Sequence, residues 1–170
     1  MQSVKIRISK EVLSPSNSQN FEGVLPSATF NFAGNVFEGD GPLTWSVSVI
    51  NGGEGYLFVT GNVTGKLSTK CVRCLEDASV EIDSEVEGFV KYRTCAKLPD
   101  DVGDDECVQL EDGKYIDIST FLEGAVTLDL PIQPLCSEDC EGLFEFCDHE
   151  GPEESDVQHP FEVLKNLDFN

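Results

Sequence analysis

Positive charge is what this chain has least of. Eleven lysines and arginines stand against thirty-two aspartates and glutamates, a formal charge of -21 over 170 residues. A field of that size repels nucleic-acid phosphates and membrane surfaces and favours basic protein partners. Long apolar runs are missing too. The opening Met1-Gln2-Ser3-Val4-Lys5-Ile6-Arg7-Ile8 alternates and holds no block of signal-peptide length, and no later run approaches a membrane span. These absences predict a cytoplasmic protein with no membrane partner. Histidine is reduced to His149 and His159, isolated from each other. There is no Ser/His/Asp grouping, no phosphate-cradling glycine loop and no carboxylate pair that stands out from so many acids. An enzyme acting on a small-molecule substrate is therefore not expected, and no internal repeat is visible.

Cysteine, by contrast, is present seven times, an odd number that argues against a complete disulfide framework. In a cytoplasmic protein such residues are more often metal ligands or free thiols. Cys71-Val72-Arg73-Cys74 forms one Cys-x-x-Cys knuckle, and Cys136-Ser137-Glu138-Asp139-Cys140 answers it about sixty residues later, followed by Cys147 and His149. Two close thiols on one turn and two on another have the spacing of a closed tetrahedral zinc site. Cys71, Cys74, Cys136 and Cys140 are its expected ligands, with Cys147 and His149 as further candidates. Three alternatives stay open: reduced thiols with no metal, a structural zinc-binding interaction module, or a thiol oxidoreductase built on Cys71 and Cys74. The last fits less well, because redox motifs of this type open a helix and the flanks here read as strands. Cys95 and Cys107, near the ends of an acidic loop, read as free thiols.

Six of the basic residues fall between Lys66 and Lys97, so one face is expected to be locally basic, with Lys66, Lys70, Arg73, Lys91 and Arg93 contacting RNA or a partner. Arg73, between the two cysteines, would also offset thiolate charge.

The length suits a single domain, residues 1–170, with acidic mobile segments at about 98–106 and 145–158. Val4 to Ile8 reads as a strand, and residues 21–41 show no clear period despite Phe21, Phe30, Phe32 and Phe37. Leu43, Trp45, Val47 and Val49 alternate with polar residues, and Asn51-Gly52-Gly53-Glu54-Gly55 predicts a hairpin turn. Leu57, Val59, Gly61, Val63, Gly65, Leu67 and Cys71 then share one face of a long strand, with glycines where it could bend. Val80, Ile82 and Val86 form the return strand, Gly88 reads as a bulge, and the first knuckle sits at the hairpin tip. Short strands at 108–110 and 115–116 lead into a helix over about 118–130, capped by Asp117 or by Thr120 with Glu123. Its apolar face is Ile118, Leu122, Ala125, Val126 and Leu130, and Pro131 stops it. A short C-terminal helix is expected from Pro160 with Phe161, Leu164 and Leu167. The predicted fold class is α+β, a mainly antiparallel, strongly curved or barrel-like sheet with one packed helix.

Cys71-x-Arg73-Cys74-Leu75-Glu76 after Val59-Thr60-Gly61, Ile116-Asp117-Ile118 opening a helix, and Leu130-Pro131-x-x-Pro134-Leu135-Cys136-x-x-Asp139-Cys140-x-Gly142-Leu143 together resemble the YceD family, the large ribosomal RNA subunit accumulation proteins. His159-Pro160-Phe161-x-Val163-Leu164-x-x-Leu167 is similar to that family's tail. The resemblance implies a non-catalytic cytoplasmic factor of ribosome biogenesis, supporting large-subunit RNA accumulation through a basic large-subunit ribosomal protein or through pre-ribosomal RNA. Many relatives carry Gly-Leu-Cys-Pro-x-Cys-Gly where this chain reads Gly142-Leu143-Phe144-Glu145-Phe146-Cys147-Asp148, so a cysteine is missing at 144. A centre made from Cys71, Cys74, Cys136 and Cys140 is untouched by that change.

Overall fold

A hairpin of two fifteen-residue strands, β6 (Tyr56–Lys70) and β7 (Asp77–Lys91), is the spine of the molecule, paired without a register shift from Tyr56↔Lys91 to Lys70↔Asp77. The computed structural model describes residues 3–99, 102–103 and 107–143, and all elements named here lie in the compact unit Met1–Cys140. Alternation dictates the hairpin's two faces. Leu57, Val59, Val63 and Leu67 on β6 meet Val90, Val86 and Ile82 on β7 in one buried layer, while the acids of β7 face outwards.

Along the other edge of β6, β5 (Leu43–Gly53) pairs with residues 56–64 and β4 (Asn35–Gly39) with residues 67–68, so the two run end to end. The Asp40 N–H donates to the Lys66 carbonyl at 3.0 Å across the break. β2 (Ser18–Leu25) and β3 (Thr29–Phe32) form the next row, pairing with β5 and β4. Both residues of the β5–β6 turn, Glu54 at φ 46° and Gly55 at φ 93°, take the left-handed conformation that a tight hairpin requires.

The sheet is open, which corrects the barrel-like expectation. Among the described residues nothing joins the β2–β3 row to β7 or to β8 (Cys107–Gln109), the short parallel strand beside it. The glycines read as bends serve another purpose. A Cβ at Gly61 would lie 2.0 Å from the Ser46 carbonyl oxygen, and one at Gly65 would lie 2.4 Å from Leu43 Cδ2, so both let β5 approach closely. Gly88 is likewise no bulge: it pairs in register with Val59, and a Cβ there would meet the Phe121 ring at 2.5 Å.

That ring belongs to α1 (Ser119–Asp129), which packs on β7. Eleven residues form a marginal helix alone, so burial of Ile118, Leu122, Ala125, Val126 and Leu130 holds it in place. Each fully buried aliphatic side chain of this kind contributes about 1.5–3 kcal/mol. Neither expected residue stands at the N-cap, which is Ile118; Asp117, one position before it, accepts from the Ser119 N–H at 3.0 Å, and Thr120 lies inside the helix, so the capping box is not formed. Burial pushes the Asp117 carboxyl up, but hydrogen bonds from Ser119 and Ser3 outweigh it and hold it below its ordinary range. A two-stranded sheet of β1 (Lys5–Arg7) and β9 (Tyr115–Asp117) completes the core with Ile6 and Ile116.

The mobile stretch expected at 145–158, the tail helix from Pro160, and Cys147 and His149 lie outside the described residues, as does most of the acidic stretch at 98–106. Among the described residues no helix is long and apolar enough to cross a membrane.

Candidate metal centre

The β6–β7 tip is a tight knuckle whose shape follows from its own hydrogen bonds. Cys71 donates its N–H to the Glu76 carbonyl at 2.8 Å, and Leu75 donates to the Cys71 carbonyl at 3.0 Å. The Arg73 N–H points at Cys71 Sγ, 3.4 Å away. Closing the turn forces Leu75 to φ 63°, a conformation that costs a side chain about 1–2 kcal/mol.

The segment after α1 supplies the second knuckle. Pro131 ends the helix, and the chain returns to the hairpin tip, where the Pro134 carbonyl accepts from the Val72 N–H at 3.0 Å. Arg73 Nη1 donates to the Cys140 carbonyl at 2.9 Å. The arginine thus ties the two turns together through the backbone, a more specific role than general charge compensation. Leu135 and Ala78 pack beside the sulfurs in a small satellite core.

The result is a cluster of four sulfurs, from Cys71, Cys74, Cys136 and Cys140, all within 4.8 Å of one another. Cys71 and Cys140 are 3.7 Å apart and Cys74 and Cys136 3.5 Å apart, too long for a disulfide, whose bond is about 2.05 Å. A tetrahedral ion with metal–sulfur bonds of about 2.3 Å would set its sulfurs about 3.8 Å apart. The set therefore fits a closed four-thiolate site, and these residues can hold a metal ion. Cys71 is fully buried and Cys140 nearly so, whereas Cys136 is exposed.

Thiol acidity is uneven here. The Cys74 N–H, helped by that of Arg73, holds the Cys71 thiol down to about 6 against burial. For Cys74 the Glu76 N–H favours the thiolate, yet burial and the sulfurs of Cys136, Cys71 and Cys140 outweigh it and push the thiol up to about 12. Cys136 is also raised: hydrogen bonding with Cys74 lowers it, but Cys140, burial and Cys71 together win. One thiolate is ready to receive a cation, and its neighbours give up protons when the cation arrives.

The five basic residues expected at one face are divided. Lys66, Lys70 and Arg73 lie towards the knuckle, and the first two are paired with Glu81 and Asp77. Lys91 pairs with Tyr56 at the other end of β6, ten residues or roughly 33 Å from Lys66. Cys95 is exposed, and Cys107 is half-buried with its thiol donating to the Gly103 carbonyl at 3.5 Å.

An open, mostly antiparallel sheet with one packed helix, and four cysteines from two remote turns gathered at its hairpin tip, define the class of domain. Residues 59–168 match the family described as "Large ribosomal RNA subunit accumulation protein YceD". The chain belongs to the YceD family. It is 33% identical over 98 residues to an uncharacterized protein of Mycobacterium bovis, an alignment covering 55% of this chain and 44% of that one. An uncharacterized protein of Mycobacterium leprae is 30% identical over 113 residues, covering 66% and 50% respectively. The chain thus spans about half the length of the curated relatives it matches. No solved structure matches.

Leu75 offers a local test of the knuckle. Its side chain is 64% exposed, so Leu75→Gly gives up little burial while relieving the left-handed backbone. A gain of up to about 1 kcal/mol is expected after the entropy cost of glycine, read as a rise in Tm of about 2–4 °C with metal affinity unchanged. A fall in Tm would show that the exposed leucine is held by contacts the strain argument omits.

Proposed function

We propose that this protein is a non-catalytic assembly factor for the large ribosomal subunit that holds a basic ribosomal protein against the outer face of β7, with zinc clamping the knuckles. The observation that carries this reading is a row of acids at alternate positions. Asp83, Glu85 and Glu87 are exposed on one face of β7, and the ion pairs of the described residues use none of them. Row and net charge would together draw in a basic partner over long range. The family description supplies the ribosomal context. Zinc is favoured because four thiolates in a closed tetrahedral set suit a borderline-soft ion without redox chemistry.

Beside the Cys-x-x-Cys spacing, the lowered pKa of Cys71 favours a thiol oxidoreductase. Its complete burial at a strand-to-strand tip, beside three more sulfurs, weighs towards a structural ligand. A disulfide-reduction assay comparing the native chain with Cys74→Ser separates the two, with no activity expected from either.

The assembly-factor reading is tested by titrating the protein with a purified basic large-subunit ribosomal protein at low and at physiological salt. Binding should weaken roughly tenfold in the triple variant Asp83→Asn, Glu85→Gln, Glu87→Gln, and should weaken with salt in the native protein. Absence of binding at low salt, or equal affinity of the triple variant, would overturn the reading.

A further inference from the structure

At the end of the molecule opposite the cysteines, the turn Asp112–Gly113 between Glu111 and Tyr115 separates two clefts. One, of about 420 Å³, is lined by Arg7, Lys10 and Lys114; the other, of about 340 Å³, by Lys91 and Arg93. Gly113 lines both. Its φ of 66° and the open space where a Cβ would stand leave its backbone exposed between them. The basic residues come from three segments far apart in sequence, and backbone bonds fix their approach. Ile8 donates to the Lys114 carbonyl at 2.9 Å and Leu110 to the Lys91 carbonyl at 3.0 Å.

Five of the chain's eleven basic residues thus meet around one turn, and Asp112 is the one acid lining either cleft. In a chain with nearly three acids for each base, that concentration is not what an even spread of charge would give. Arg7, Lys10, Lys114 and Arg93 are exposed, and the ion pairs among the described residues involve none of them. Two sit against aromatic rings, Arg93 over Tyr92 at 5.6 Å and Lys114 over Tyr115 at 5.4 Å. Cations interleaved with aromatic faces at a concave edge are what a single-stranded nucleic acid uses, the cations for phosphates and the rings for bases. Guanidinium groups also take phosphate oxygens in pairs.

We propose that these two clefts form an RNA-binding site that grips the phosphates of a single-stranded segment through Arg7, Lys10, Lys114 and Arg93. The choice of RNA over other polyanions rests on the reading of the protein as a large-subunit assembly factor; the anion site itself does not. The clefts begin at Lys91, four residues or roughly 13 Å past Glu87 on β7, and Arg7, Lys10 and Lys114 come from other segments, so RNA and a basic protein would use different side chains. The surrounding negative field confines RNA contact to this one end.

The test is fluorescence anisotropy of the full chain with a short fluorescein-labelled single-stranded RNA. The quadruple variant Arg7→Gln, Lys10→Gln, Arg93→Gln, Lys114→Gln should bind roughly tenfold more weakly or worse, with a log K against log[salt] slope shallower by about 0.7 for each phosphate it no longer neutralises. Unchanged circular dichroism and Tm check that it folds, which the exposure of all four side chains leads one to expect. A Lys66→Gln, Lys70→Gln variant should bind RNA as the native chain does. Equal affinity in the quadruple variant, or an equal weakening in the Lys66/Lys70 variant, would overturn the site. Poly-glutamate binding as tightly as RNA would overturn the choice of RNA in favour of an acidic protein. Binding of the basic ribosomal protein by the quadruple variant should persist, so failure here and failure of the assembly-factor reading are separate results.

Discussion

Stripping the metal from the four-cysteine centre should lower the Tm by roughly 10 °C or more, and Cys71→Ser should reproduce most of that loss. The centre closes a connection between Cys71 and Cys140, 69 positions apart, and beyond it the two turns share the Val72–Pro134 and Arg73–Cys140 bonds and a small apolar cluster. Structural zinc sites contribute about 10–16 kcal/mol in small peptides, against about 5–15 kcal/mol for the whole stability of a typical domain. The large core on the inner face of β5, β6 and β7 stands without the metal. The expected apo protein therefore keeps its sheet and loses order at the hairpin tip and at residues 131–140, read as faster amide exchange in those segments.

The pH dependence follows from the thiols. At pH 7 Cys71, held down to about 6, is already a thiolate, while Cys74, pushed up to about 12, and Cys136, also raised, keep their protons. Binding a metal releases at least those two protons, so affinity rises with pH and falls as pH drops. Isothermal titration in buffers of different ionisation enthalpy measures the number released. Fewer than about two protons at pH 7 would contradict this pattern of protonated and ionised thiols.

Gly61→Ala should destabilise the fold by about 3–5 kcal/mol, a fall in Tm of roughly 10 °C. The added methyl would lie 2.0 Å from the Ser46 carbonyl oxygen and 2.7 Å from Val47 Cα, both backbone atoms of the paired strand, so no side-chain rotation relieves the overlap. Gly124→Ala is the matched control. Gly124 is inside α1 with nothing within 4 Å of a new Cβ, so the same substitution should stabilise by about 1 kcal/mol. Thermal unfolding of the two variants gives opposite signs if the close approach of β5 to β6 is as described. A neutral Gly61→Ala would show that the strands can part.

Where alternation was unbroken, the sequence was a good guide. Leu57 to Cys71 kept one parity because β6 pairs along its whole length, and the helix from 118 to 130 stood out by its apolar stripe. Residues 21–41 were opaque for a physical reason. Buried positions are odd in β2, even in β3 and odd again in β4, and exposed Val24 and Val36 put apolar side chains on the wrong face. The sheet's openness was hidden because a glycine that permits close approach and one that permits a bend look alike in a sequence. For the metal centre, cysteine spacing alone suggested all four sulfurs. Arg73's reach to the Cys140 carbonyl left no signal, and the basic clefts could not be read because Arg7, Lys10, Lys114 and Arg93 come together only through tertiary structure.

Cobalt(II) titration of the reduced protein, followed by its visible absorption, tests the shared centre most directly. One ion per chain with the spectrum of a tetrahedral four-thiolate complex is expected, lost alike in Cys71→Ser on the hairpin tip and in Cys136→Ser on the segment after the helix, and retained in Cys147→Ser. A variant of one turn that kept the four-thiolate spectrum while the other lost it would contradict a single site built from both.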